Sequence, residues 1–117
     1  QPKNYEEEIK QMTYHHIRLF HENRIYLLLL IHVTSQWEKY FKPYLIAHEA
    51  AKALANKIEL LIQNGQNEGK IAESDPNIIS NAYISVLLGL FLANTDRFSD
   101  SALKLYAENY TRLFGLR

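Results

Sequence analysis

Apolar residues recur along this chain every three or four positions, and no stretch alternates strictly with a period of two. Spacing of three and four places apolar side chains on one face of a helix, whereas a half-buried strand needs alternation with period two. Glycine and proline are few, so long segments run without a strong breaker. The pattern therefore predicts an all-α protein.

Two helices are predicted in the first part of the chain. The first begins after Asn4, because Asn4 with Glu7 three residues later resembles a capping box. A turn near residues 21–24 leads into a second apolar segment at residues 25–33. This segment is rich in leucine and apolar on all sides, so we expect a central, buried helix.

The longest helix is predicted to follow a change of direction at residues 34–42. Pro43 starts or kinks this helix, and Gly69 should end it in a left-handed C-cap. We expect His48 on its inward seam, where a polar group needs a hydrogen-bond partner. The seam consists of Tyr44, Ala47, His48, Ala51, Leu54, Ala55, Ile58, Leu61 and Ile62.

The most apolar stretch lies at residues 75–93. Asp75 suits an N-cap and Pro76 suits the first helical position, and residues 82–93 are almost entirely apolar. Twelve such residues are too few to span a bilayer, which needs about 20. We therefore expect a helix that is covered on two sides, by the chain's own core and by a second copy of the chain.

The last helix is predicted to follow a loop at residues 94–98, with Ser99 as its cap.

The predicted dimer interface involves Gly89, which would let the backbone of a second copy approach closely. The alternative is a glycine tolerated in the core of a monomer, at a cost of about 1 kcal/mol relative to alanine. The predicted dimer interface consists of Ile79, Tyr83, Val86, Leu90, Leu105, Tyr106, Tyr110 and Leu113.

Composition narrows the functional classes. A length of 117 residues fits one domain. The 13 basic and 13 acidic residues balance, which argues against a strongly basic nucleic-acid binder. The polar, acidic beginning does not resemble a signal peptide, so we expect a cytoplasmic protein without membrane contact. Because the chain begins with Gln, we expect a fragment of a longer protein.

A cavity among the helices is suggested by eight Tyr and five His in so short a chain. Ligand sites are mostly apolar with a few polar groups, and the aromatic residues of the first three helices fit that description. For any single residue, an ordinary place in the core is the competing interpretation. The predicted pocket consists of Tyr14, Ile17, Tyr26, Leu30, Trp37, Phe41, Tyr44, His48 and Leu87.

Neither a metal, a cofactor nor catalysis is expected. Two ligands on one helix need a spacing of three or four residues, which no pair of His, and no His with a carboxylate, shows. A metal site assembled from different helices remains open. The sequence has no nucleophile elbow, no phosphate-binding glycine loop and no Cys. Asp75 and Asp100 are explained as helix-start residues.

The second half of the chain resembles the C-terminal domain of tetracycline-repressor (TetR) type transcriptional regulators. The resemblance rests on L-I-Q-N-G-Q-N-E-G-K-I at residues 61–71, Asp75 and Pro76, the L-G-L of residues 88–90, and the closing segment at residues 105–116. It implies five to six helices, of which the last two pair with their copies as a four-helix dimer interface. It also implies a pocket for a small hydrophobic or aromatic effector.

Members of this family carry an N-terminal helix-turn-helix head, which this sequence does not contain. The resemblance implies that effector binding changes the separation of two such heads on DNA, so that DNA is contacted only through the missing part. One alternative is a stand-alone helical binding module that never had a head. Another is a small helical enzyme that acts on a hydrophobic substrate.

Overall fold

The described chain is predominantly helical in this computed structural model, which covers residues 4–93 and 99–117. Its helices are α1 (Tyr5–Glu22), α2 (Arg24–Ser35), α3 (Phe41–Asn67), α4 (Pro76–Ala93) and α5 (Asp100–Tyr110), with a 3-10 helix (Thr111–Phe114) directly after α5. No strand occurs in these ranges, which confirms the all-α prediction. The loop expected at residues 94–98 lies outside the described residues.

The predicted helix ends are confirmed at three places. The Asn4 side chain accepts a hydrogen bond from the Glu7 amide at 3.1 Å and caps α1. The Ser99 hydroxyl accepts one from the Ala102 amide at 3.2 Å and caps α5. Beyond the end of α3, Gly69 has a φ of +71°, the left-handed conformation that glycine adopts without a steric penalty.

The core forms where α1 and α3 each pack against α4, while α5 packs against α1. Buried apolar side chains from all four helices and from the 3-10 helix meet there. The most deeply buried among them are Ile9, Ile58, Ile62, Tyr83, Leu87 and Phe114. The candidate functional surfaces lie at the edges of this core.

The chain after α3 closes tightly against that helix. A Cβ atom at Gly65 would lie 2.4 Å from the Cδ1 atom of Ile71, so only glycine lets the returning chain approach so closely. Ile71 also forms an isolated bridge with Leu116. These contacts fix the C-terminal residues to the end of α3.

The structure contradicts the expectation of a central second helix. None of the residues of α2 is buried, and Ile25 is 77% exposed. The helix packs against α3 and, more lightly, against α1. The apolar composition of a helix shows how much apolar surface it carries. It does not show whether other helices lie close enough to bury that surface, and α2 keeps most of its surface exposed.

The inward seam of α3 is confirmed only in the second half of the helix. Ile58 and Ile62 are buried, and the Ser80 hydroxyl of α4 donates to the Ala55 carbonyl at 3.0 Å, so α4 covers this half. His48 and Ala51 are exposed. The expectation that His48 lies inside and needs a buried partner is therefore wrong.

Within the described ranges, α4 is the one helix whose length and apolar composition would fit a bilayer. More than a quarter of it is nevertheless buried in the core of the protein. It also carries the Ser80 hydroxyl, which bonds to α3, and the fully buried Tyr83. These contacts favour a core helix with one open face.

Candidate functional site

A small cleft lies where the end of α1 and the start of α2 face α4. The lining residues from α1 and the start of α2, and those from α4, recur mostly three or four positions apart. This spacing places them on one face of each helical segment. The cavity holds about 20 Å³, room for about one water molecule, whereas ligand pockets measure about 300–1,000 Å³. The lining residues are Ile17, Phe20, His21, Arg24, Leu87, Leu90 and Phe91.

Arg24 stands at the rim of this cleft as the first residue of α2. Its guanidinium carbon lies 4.9 Å from the centre of the Phe91 ring, within the range of a cation–π contact. Its Nη1 atom also donates to the Phe91 carbonyl at 3.5 Å, at the long limit of a hydrogen bond. The half-buried Arg24 thus connects the start of α2 to the last turn of α4.

Of the nine predicted pocket residues, Ile17 and Leu87 line this cleft. Three others form a row of rings from the turn before α3 into its first half. The ring centres of Trp37 and Tyr44 are 6.0 Å apart, and those of Tyr44 and His48 are 5.7 Å apart. This row does not contribute to the lining of the cleft.

The remaining four predicted pocket residues are dispersed. Tyr26 and Phe41 are exposed, and Leu30 is half-buried on α2. The Tyr14 hydroxyl donates to the carboxylate of Asp100 at the start of α5. This hydrogen bond, followed by the one from Lys104, lowers the pKa of Asp100. Tyr14 thus connects α1 to α5.

A partly buried polar contact joins α1 to α4. The Nδ1 atom of His16 lies 2.8 Å from the hydroxyl oxygen of Tyr83, whose ring packs against Phe114 with centres 5.1 Å apart. Burial raises the pKa of Tyr83 to about 12. Burial also lowers the pKa of His16, and the neighbouring His15 lowers it further.

Acidification should destabilise the protein through His16. Because the folded state holds the His16 pKa below its ordinary value of 6.5, the unfolded chain takes up the proton first. The contribution of neutral His16 to the free energy of unfolding is therefore fully present above pH 6.5 and is lost as the pH falls through the folded-state pKa of His16. We expect the loss of unfolding free energy between about pH 7.5 and about pH 5.5 to be smaller in His16→Gln, measured by urea denaturation.

His48→Gln is the matched control, because His48 is exposed. This variant should keep the full pH dependence of the unmodified protein. Equal pH dependence in His16→Gln and in the unmodified protein would show that His16 does not contribute.

The predicted interface residues occupy different environments. Tyr83 is 0% exposed and Leu90 is 8% exposed, and both belong to the core of the single chain. The chain's own core therefore covers Tyr83 fully and Leu90 almost fully, contrary to the expectation that a second copy covers them. The other six keep accessible surface: Ile79, Val86, Tyr106, Tyr110 and Leu113 are half-buried, and Leu105 is exposed.

The open face of α4 carries a different set of residues. Ile78 and Leu92 are 63% and 54% exposed, and exposed small residues lie between them along the helix. A Cβ atom at Gly89 would meet nothing within 4 Å. We call this surface, with its spacing of four and three residues, the open α4 face: Ile78, Ala82, Ser85, Gly89 and Leu92.

The sequence interpretation missed Phe20, His21, Arg24 and Phe91 as lining residues of the cleft. A signal for the first three was present, because Ile17, Phe20, His21 and Arg24 share the spacing of one helical face. The turn between α1 and α2 involves one residue, Asn23, so the face continues across it. The contact between Arg24 and Phe91 spans 67 positions, and no local pattern indicates it.

No group of three or more His, Cys, Asp or Glu side chains in the described part of the chain is arranged to hold a metal ion. Comparison with family models, with curated proteins and with solved structures found no match to this chain.

Proposed function

We propose that this chain is the effector-sensing and dimerisation domain of a TetR-type transcriptional regulator. The observation that carries the proposal is the open α4 face, an apolar surface on a core helix. The order of the helices supports it: a long third helix, a glycine-closed turn, an apolar fourth helix and a final helix ending at the 3-10 helix. The proposal assigns the protein to the cytoplasm and gives it no catalytic role.

The shape of that face supports dimerisation. The small residues Ala82, Ser85 and Gly89 leave room for a second helix to approach closely, and the larger Ile78 and Leu92 flank them. A two-fold interface brings the same surface of both copies together. Leu105 on α5 is exposed as well, and α5 is the second helix that the four-helix interface would use.

The mass of the protein in solution tests this proposal. Sedimentation equilibrium at micromolar concentration should give about twice the 13.7 kDa of one chain. Because association buries apolar surface, added salt should not dissociate the dimer. A monomer at high micromolar concentration would contradict the dimer.

The gene product that contains this chain supplies an independent test of the regulator. We expect a helix-turn-helix segment on its N-terminal side, since two such segments on a dimer read half-sites one helical turn apart. A gene product without that segment would leave a stand-alone binding module as the better description.

A further inference from the structure

Most of the exposed apolar surface of the protein is concentrated around α2. Of the thirteen large apolar side chains that are exposed in the described ranges, nine lie between residues 19 and 46. On α2, the exposed residues Ile25, Leu28, Leu29 and His32 follow one another at spacings of three and four. They therefore share one face, which is open along most of the helix.

This face continues into the turn that leads to α3. The ring centre of His32 lies 5.8 Å from that of Tyr40. Two exposed aromatic residues, Trp37 and Phe41, lie close to Tyr40 in the chain. We call the whole the α2 surface; its large apolar side chains, each between 43% and 77% exposed, are Ile25, Tyr26, Leu28, Leu29, Trp37 and Phe41.

The size of the α2 surface is that of a protein interface. With roughly 200 Å² for each large side chain, the exposed fractions of its six side chains amount to about 700 Å². The largest apolar patch of a typical monomer measures about 300–600 Å². Each partner in a standard interface buries about 600–1,000 Å². The α2 surface is therefore large enough for a stable contact between two chains.

The chemistry of the α2 surface indicates which partner covers it. No Asp, Glu, Lys or Arg occurs at residues 25–37. A helix that binds a membrane surface needs basic residues on its polar face, and a charged partner needs opposite charge to recognise. Two copies of an uncharged apolar surface meet around a two-fold axis without bringing like charges together. A second copy of this chain is therefore the partner that fits.

From these observations we propose that a second copy of the chain binds at the α2 surface, with the two α2 helices packed against each other around a two-fold axis. This interface is separate from the open α4 face and does not depend on it. Because α2 buries none of its residues, ordering this helix offsets part of the binding free energy. The dissociation constant should be on the order of 100 µM, weaker than that of the proposed α4 dimer.

Sedimentation equilibrium between about 5 and about 500 µM tests the α2 surface in a chain whose open α4 face carries a charge. The Gly89→Glu variant should be a monomer at the lowest concentration and approach twice the 13.7 kDa of one chain at the highest. Adding Leu29→Glu should keep it monomeric throughout, because each copy would bring an unpaired carboxylate into the apolar contact. Leu29 is 58% exposed, so the glutamate remains solvated in the single chain.

Leu60→Glu is the matched control, because Leu60 is 57% exposed on α3 and belongs to neither surface. It should leave the association of Gly89→Glu unchanged. Ile25→Glu, at the most exposed position of the α2 surface, should act as Leu29→Glu does, so the test does not depend on one variant.

Two results would overturn the inference. One is a Gly89→Glu variant that stays monomeric at about 500 µM or associates equally well with Leu29→Glu added. The other is binding of the monomer to phosphatidylglycerol vesicles that Leu29→Glu abolishes, which would assign the α2 surface to lipid.

The single variants separate this inference from the proposed α4 dimer. If the unmodified chain stays a dimer at every concentration and Gly89→Glu stays a monomer, the α2 interface is removed and the α4 dimer remains. If Gly89→Glu associates as the unmodified chain does and Leu29→Glu alone is a monomer, the α4 dimer is removed and the α2 interface remains.

Discussion

Gly89→Glu should convert the proposed dimer to a monomer without damage to the fold. A Cβ atom at Gly89 meets nothing within 4 Å, so the glutamate side chain fits the isolated chain without a clash. In the dimer, the two-fold axis would bring two unpaired carboxylates onto one apolar surface. We expect the dissociation constant to rise at least about 100-fold, measured by sedimentation equilibrium.

Gly89→Glu should weaken the dimer but raise the free energy of unfolding of the monomer. Glutamate favours the helix over glycine by roughly 0.5–1 kcal/mol, so Gly89→Glu should unfold at higher urea than the unmodified chain when both are monomeric. Gln63→Glu adds the same charge at an exposed position of α3 and should leave the dimer unchanged. If Gly89→Glu stays dimeric, the open α4 face is not the interface.

A charge at Leu90 would test the stability of the single chain as well as its association. Leu90 is part of the core cluster, so Leu90→Glu would bury a carboxylate and lower the stability of the single chain. Loss of association in that variant would not distinguish a broken interface from a damaged fold. Gly89 is exposed and a side chain there meets no neighbouring atom, so a charge at Gly89 acts on the interface alone.

The sequence predicted the helix ends well because they depend on local chemistry. Asn4, Gly69 and Ser99 act through hydrogen bonds and backbone conformation within a few residues. The side of α4 that faces the core is harder to predict, because that helix is apolar around most of its axis. Periodicity orients a helix only when one face is polar. For this reason the sequence pattern alone places Tyr83 and Leu90 on the open side of α4.

The second helix shows a related limit. The apolar run of α2 predicts burial, yet the described part of the chain leaves every residue of α2 at least partly exposed. The candidate cleft likewise depends on how α1, α2 and α4 are placed relative to one another, which no local sequence pattern indicates. The helical faces of Ile17 and Leu87 predict them as lining residues, but the approach of Arg24 to Phe91 depends on where the fold places the start of α2 relative to the end of α4.

Tyr83→Ala should be the most destabilising single substitution among those considered. Tyr83 is fully buried, its ring packs against Phe114, and its hydroxyl contacts His16. Replacing a buried aromatic residue by alanine costs about 3–5 kcal/mol through lost contacts and the cavity left behind. Small domains have only about 5–15 kcal/mol of total stability. We therefore expect urea unfolding of Tyr83→Ala to occur at much lower denaturant, with little folded protein near its former midpoint.

Two further variants separate the ring of Tyr83 from its hydroxyl. Tyr83→Phe keeps the contact with Phe114 and removes the partner of His16, so it should cost about 1 kcal/mol. Tyr26→Ala removes the same side chain from a site that is 65% exposed and should stay within about 0.5 kcal/mol of the unmodified protein. All are compared in the Gly89→Glu background, where association does not add to the measured stability. Equal losses for Tyr83→Ala and Tyr26→Ala would mean that Tyr83 does not join α1 to α4 in the core.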